Sequence, residues 1–258
     1  MTNIITYIVV FILGSLIGSF LNVCIYRLPR NLSIISPSSR CPSCNTPIRP
    51  YDNIPVLSYL LLGGRCRACK TKISLRYPLV ESLNAGLYVL LFWRFGAAWS
   101  TAIYAVFCSA LVVITFIDLD FQIIPDTITL PGIVIGFVAG SLLMPDPFMR
   151  NSRLGFLSSL IGFLAGGGLY YAIAVLSKGG MGGGDIKMMA MVGALTGWKS
   201  VILTTFLGSL TGAIVGVFLM VFKGKGRKTK IPFGPFLALG AVVTLFFGEE
   251  IFRWYIQR

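Results

Sequence analysis

The chain has 258 residues, with 22 Lys and Arg against nine Asp and Glu, and a net charge of +13. Hydrophobic residues make up 55% of it and charged residues only 12%, which excludes an ordinary soluble globular domain. Histidine is absent, which excludes Ser-His-Asp and Cys-His catalysis, His-ligated catalytic zinc and the usual proton carrier near neutral pH.

Apolar runs recur along the whole length, each near the roughly 20 residues a helix needs to cross hydrocarbon. The expected fold is an all-α polytopic membrane protein of about eight transmembrane helices with a small metal-binding cytoplasmic loop domain. The spans are placed near 4–24, 79–97, 100–117, 128–144, 154–177, 186–198, 200–222 and 234–252. The first run, Ile4 to Tyr26, lacks a basic leading region and an Ala-x-Ala-like site, so a retained span is expected rather than a signal peptide. This gives 1–26 as the first transmembrane helix, 27–78 as a four-cysteine region and 79–258 as the membrane core.

The loop after the first span holds "CPSC" (Cys41, Cys44) and "CRAC" (Cys66, Cys69), a C-x2-C pair, 21 residues and a second C-x2-C pair. Four soft ligands so spaced surround one tetrahedral ion, zinc or, in a rubredoxin-like site, iron. All four positions are committed to ligation, so the metal is expected to be structural, stapling a loop too small to hold itself together. Two disulfides are the rival pairing, disfavoured on a reducing face. Cys24 and Cys108 fall inside spans and are expected to be packing residues.

The third span ends in "FIDLDFQIIPD", which sets Asp118, Asp120 and Asp126 at the membrane boundary. Asp126 follows Pro125 and precedes "TITLPGIVIG", so it is expected to cap the fourth helix. Asp146, in "MPDPF", reads as turn chemistry, as does Asp52 in "RPYDNIP". The stretch "GGMGGGDIKMMAMVGAL" begins at Gly179 and puts Asp185 behind Gly182, Gly183 and Gly184. Glycines there allow close backbone approach and a local departure from helix beside a wet cavity; the alternative is a flexible glycine hinge with Asp185 capping the start of the next helix. The sixth span behind it is short and Gly-interrupted. "KGKGRKTK" (223–230) could meet nucleic-acid phosphates, but a basic loop between spans reads as a topology determinant against anionic lipid, with no nucleic-acid partner expected. Glu249 and Glu250, near the last span's end, read as a solvated face.

With eight spans, the loops 25–78, 118–127, 178–187 and 223–233 share one side and carry sixteen of the 22 Lys and Arg. That asymmetry assigns them to the cytoplasm. A carboxylate at membrane depth is costly and by default functional. Asp118 and Asp185 reach the same face at similar depth. Two carboxylates brought together in low dielectric share a proton, the working state of an aspartyl protease. A transporter using these acids as ion sites, and a membrane-tethered zinc ribbon acting as a binding module, are the alternatives.

The chain resembles the type IV prepilin peptidases, the bifunctional leader peptidase and N-methyltransferase enzymes of bacterial inner membranes. The likeness rests on "GSFLNVCIYRLP" (18–29), "CPSC" followed by "IRPYDNIPVLSYL" and "GGRCRAC", "RYPLVE" (76–81), "IDLDFQIIPD", "GMGGGDIKMMAMVG" and "IPFGPFLALG", in that order. It implies catalytic aspartates at Asp118 and Asp185, a GxGD signature at Gly182 to Asp185, and metal-binding cysteines at Cys41, Cys44, Cys66 and Cys69. It implies that 79–258 is an aspartyl protease core facing the cytoplasm, and that the substrates are prepilins or pseudopilins cut after a glycine behind a short basic leader. It also implies N-methylation of the new terminus from S-adenosylmethionine. No dinucleotide-type glycine fingerprint marks the donor site, and Gly64, Arg65 and Glu81 are the expected cofactor-binding residues.

If the eight-span layout holds, cysteines introduced singly at Lys178 and Lys225 will react with an impermeant thiol reagent on the same side in intact cells. Labelling from opposite sides would mean that the sixth apolar segment does not cross.

Overall fold

The computed structural model describes residues 3–178, 180–223 and 231–256. Gly179, Arg258 and the basic stretch 224–230, with Lys225, Arg227, Lys228 and Lys230, lie outside the described residues. The chain divides into two compact units, Met1–Val113 and Ile114–Arg258.

In the first unit, α1 (Ile4–Arg27) packs along α3 (Arg76–Phe95). The seam is possible because Gly14 and Gly18 stand one turn apart on α1: a Cβ would lie 2.8 Å from the Ala85 Cα at the first and 2.7 Å from the Glu81 Cα at the second. Small residues at this spacing let helices meet backbone to backbone and bring interhelical hydrogen bonds within reach. Asn84 Nδ2 donates to the Gly14 carbonyl (2.7 Å), and Asn22 Nδ2 to that of Tyr77 (3.1 Å). Between the two helices run the cysteine loop, two 3-10 turns (Leu28–Arg30 and Pro50–Asn53) and the short α2 (Leu57–Leu61). The helix α4 (Trp99–Phe121) begins in this unit and ends in the second.

The second unit holds α5 (Asp126–Leu142), a hairpin of β1 (Pro145–Asp146) and β2 (Met149–Arg153), α6 (Gly155–Leu176), α7 (Gly183–Thr196), α8 (Trp198–Lys223) and α9 (Gly234–Ile256). Asp146 acts as its sequence context predicts: its Oδ1 accepts from the Phe148 N–H at 2.8 Å and fixes the hairpin turn. The helix at the centre is α7. Every residue from Met188 to Thr196 is buried, among side chains of α5, α6, α8 and α9.

Glycine makes that burial possible. A Cβ at Gly162 on α6 would collide with the Gly193 carbonyl oxygen, and one at Gly166 with that of Met189; a Cβ at Gly140 on α5 would collide with the Ala194 carbonyl oxygen. Side chains are excluded at these seams, and α7 meets its neighbours through backbone.

Each of the eight apolar runs overlaps a helix, with ends that differ by a few residues. Among the described residues, five helices are long and apolar enough to cross a membrane: Ile4–Arg30, Trp99–Phe121, Gly155–Leu176, Trp198–Phe222 and Gly234–Tyr255. The protein is thus a predominantly helical, multi-pass membrane protein. The sixth run forms a helix of 14 residues, about 21 Å long against a hydrocarbon core of about 30 Å.

Gly162→Ala is expected to lower the thermal unfolding midpoint of the detergent-solubilised protein, at an overpacking cost of about 1–3 kcal/mol. Gly168→Ala, where a Cβ meets nothing within 4 Å, is the control and should leave the midpoint unchanged or slightly raised.

Candidate active site and metal centre

Asp118 lies in the last turn of α4 and is 5% exposed. A buried carboxylate needs hydrogen-bond donors, and the chain provides one by starting a helix beside it. The Gly234 N–H, in the first turn of α9, has no intrahelical acceptor and donates to Asp118 Oδ2 at 2.9 Å. The approach needs glycine, because a Cβ at 234 would lie 2.7 Å from that oxygen. The following Pro235 suits a helix start, where its missing N–H costs nothing.

Asp185 is half-buried in the first turn of α7, with Gly182 as the N-cap. The glycines divide here: Gly182 is extended, and Gly183 and Gly184 already lie in the helix. The three glycines also differ in role. A Cβ at Gly184 would lie 2.6 Å from the Ile124 Cβ, one at Gly183 meets nothing, and one at Gly182 makes an ordinary 3.5 Å contact with Asp185 Oδ2. Only Gly184 is demanded by packing. The carboxylate of Asp185 lies within electrostatic reach of Asp118, and Ile124 packs against the backbone at both Gly184 and Gly234. Both boundary aspartates thus belong to the second unit, on elements that share Ile124 as a neighbour.

Asp120, two residues beyond Asp118, is exposed. Asp126 departs from its expected role. Pro125 occupies the N-cap of α5 with no side-chain cap hydrogen bond, and Asp126 is the first helical residue. Its carboxylate instead receives Lys187 Nζ, at 2.7 Å to each oxygen. A lysine reaching across supplies a full charge, which a backbone N–H cannot match.

In the first unit, the sulfurs of Cys41, Cys44, Cys66 and Cys69 all lie within 4.8 Å of one another, and Cys41 and Cys69 are 3.8 Å apart. A tetrahedron with Zn–S bonds of about 2.3 Å has edges of about 3.8 Å, so the four thiols fit such an ion. They sit on two equivalent knuckles. The Cys41 N–H donates to the Thr46 carbonyl at 3.0 Å and the Cys66 N–H to that of Thr71 at 2.9 Å. Asn45 and Lys70 take matching left-handed conformations (φ 55° and 61°). Thr46 Oγ1 lies 3.2 Å from Cys44 Sγ, and Thr71 Oγ1 3.3 Å from Cys69 Sγ. The Thr71 hydroxyl and backbone N–H bring the Cys69 thiol down to about 6, and Thr46 lowers Cys44 in the same way. Both second thiols are thereby biased toward the thiolate that binds metal. The sequence reading missed these threonines, although the repeat C-x2-C-x-T (41–46 and 66–71) is visible in it.

Gly64 and Arg65 lead into the second knuckle, while Glu81 lies on α3. Gly64 is left-handed (φ 64°), and a Cβ there would lie 2.7 Å from the Tyr59 hydroxyl. Glu81, 7% exposed, accepts the Val56 N–H at 2.7 Å. Val56 is β-branched and held at φ 60°, a strained conformation that persists only where its surroundings fix it. A cavity of about 260 Å³ nearby is lined by Leu16, Ser19, Phe20, Val23 and Arg27 of α1, and by loop residues that include Asn53.

Fold and site together define a multi-pass helical membrane protein with a buried aspartate, a second, half-buried one within its electrostatic reach, and a four-thiol cluster suited to a metal ion. The chain belongs to the type IV leader peptidase family: residues 105–217 match that family and residues 12–95 match the bacterial peptidase A24 N-terminal domain. It is 37% identical over 272 residues to the prepilin leader peptidase/N-methyltransferase of Pseudomonas aeruginosa, covering 95% of this chain and 92% of the relative. Proteins of the same description from Aeromonas hydrophila (37% over 276 residues, 96% and 92% covered) and Legionella pneumophila (34% over 281 residues, 97% and 94% covered) are also similar. No solved structure matches the chain at a significant level.

Purified protein is expected to carry one zinc or iron per chain by elemental analysis, and to lose it when Cys41 and Cys44 become Ser. Metal-free protein with two disulfides would rule the centre out.

Proposed function

We propose that this protein removes the leader peptide of prepilins or pilin-like pseudopilins at the cytoplasmic face of a bacterial inner membrane, and methylates the amino terminus so exposed. Eight helices cross the membrane in this reading. The core within 79–258 is the aspartyl protease, and Asp118 and Asp185 are its catalytic pair. The observation that carries it is that Asp118 and Asp185 lie within electrostatic reach of one another, with Ile124 packed against the backbone beside each, in a chain without histidine.

Hydrolysis is direct. One aspartate, ionised, takes a proton from water as the oxygen attacks the scissile carbonyl carbon. The other, protonated, donates to the carbonyl oxygen. The tetrahedral species then collapses: the C–N bond breaks, the amine leaves with a proton, and the pair returns to sharing one. Asp118 is held for this by the Gly234 N–H, which orients the carboxylate without neutralising it.

The metal is structural. Four thiolates from Cys41, Cys44, Cys66 and Cys69 would hold zinc or iron and fix the 27–78 region. S-adenosylmethionine supplies the methyl group. It carries a carboxylate, an ammonium and a sulfonium, so a cation and an anion are the side chains that meet it. Arg65 and Glu81 offer one of each, with Gly64 providing the close backbone between the knuckle and Tyr59.

Asp118→Asn and Asp185→Asn keep side-chain size but remove the titrating proton. Each is expected to lower cleavage of a prepilin to near background, with no further loss in the double variant, because the pair acts as a unit. Methylation of an already cleaved pilin should persist in both. Mass spectrometry of the pilin amino terminus reads both activities. Folded Asp185→Asn protein that processes prepilin at the normal rate would refute the mechanism.

A further inference from the structure

Neither Lys187 nor Asp126 has a part in the chemistry above, yet Lys187 Nζ grips both oxygens of Asp126 at 2.7 Å across 61 positions of sequence. Lys187 stands two residues after Asp185 on α7. Asp126 opens α5, at the end of the segment that leads on from Asp118. Between these points lies Ile124. Gly184, beside Asp185, rests against it so closely that a Cβ would come within 2.6 Å. Gly234, the donor to Asp118, faces it as well, with a Cβ there 3.4 Å from Ile124 Cδ1. Ile124 is lodged between the backbone that carries Asp185 and the backbone that holds Asp118. An apolar contact of this kind sets a distance but not a register, because one smooth surface can slide on another. The ion pair is directional and fixes the register.

We propose that the Lys187–Asp126 pair is a positioning latch, which locks the first turn of α7 against the 122–126 segment and so sets the approach of Asp185 to Asp118. The inference rests on the reading of those two aspartates as the reacting pair. The latch residues do not touch substrate; they act through the aspartates.

Magnitudes favour this role over a stabilising one. The two side chains remain 39% and 54% exposed, and exposed pairs add only about 0–1 kcal/mol to folding. Catalysis is far more sensitive, since misplacement by about 1 Å can cost on the order of a hundredfold in rate. Breaking the latch should be nearly silent in stability and plain in turnover.

The test uses full-length protein in detergent and a prepilin-type peptide, with kcat, KM and thermal midpoint measured together. Lys187→Met and Asp126→Asn are each expected to lower kcat by about tenfold or more, with KM within about twofold and the midpoint unchanged. Combining them should cost no more than either alone. Lys187→Arg, and the exchange of Asp126→Lys with Lys187→Asp, should restore most of the loss. An exchange variant as slow as the single variants would overturn the latch, since the lysine charge itself would then be what matters. A midpoint that falls in step with activity would also overturn it, leaving a structural role. Normal kcat in the single variants alongside an inactive Asp185→Asn would sink the latch alone, whereas normal cleavage by Asp185→Asn would sink the aspartyl reading beneath it.

Discussion

The hydrogen bond from the Gly234 N–H to Asp118 Oδ2 is the contact on which the second unit is organised. An apolar helix that ends in a buried aspartate and a helix that begins in an apolar bundle each leave a polar group without a partner. Placing the start of α9 against the end of α4 satisfies both with one 2.9 Å bond. The arrangement then constrains the sequence. Position 234 must be glycine, since a Cβ would stand 2.7 Å from the carboxylate oxygen, and proline can follow because the first turn does not use its N–H. The level at which α9 starts is therefore fixed by where Asp118 stops, and Asp185 must be delivered to the same level from a third element.

That third element accounts for the shape of α7. A helix that brings a carboxylate to the interior of a bundle must be enclosed by protein, because lipid offers nothing to a charged group. Its neighbours α5 and α6 can close around it only by giving up side chains where they touch, at Gly140, Gly162 and Gly166. Enclosure also removes any need for the helix to match the membrane's thickness, and at 14 residues it does not. A short helix, glycine seams and an acid in the first turn are one solution to one electrostatic problem.

Local patterns were legible in the sequence and pairings across it were not. The four cysteines declare themselves by spacing, and Asp118 and Asp185 by being acids where an apolar run ends or begins. The helical runs follow from hydropathy, though the shortness of α7 limits what hydropathy says about crossing. What could not be read depends on which distant residues meet. Gly234 is an ordinary glycine until Asp118 is seen beside it. Asp126 carries every local mark of a helix cap, namely a preceding proline and a following apolar run. Local propensity lost there to a cation 61 residues away. Thr46 and Thr71 were a different kind of miss: their repeat is written in the sequence, but the eye stops at the cysteines.

Lysine and arginine outnumber the acids 22 to nine, so a cation could have been set beside every carboxylate. The acids divide instead. Asp52, Asp126, Asp146 and Glu249 pair with Arg67, Lys187, Lys199 and Arg253. Asp118 takes the N–H of Gly234, and Glu81 takes the N–H of Val56. The two kinds of partner differ in consequence. A bound cation holds a carboxylate ionised and removes it from proton chemistry. A backbone dipole orients the group and relieves its desolvation, yet leaves the proton free to come and go. An acid that alternates between holding and giving a proton is best served by the second. Lys187, two residues from Asp185, belongs to the first kind of partner and holds Asp126.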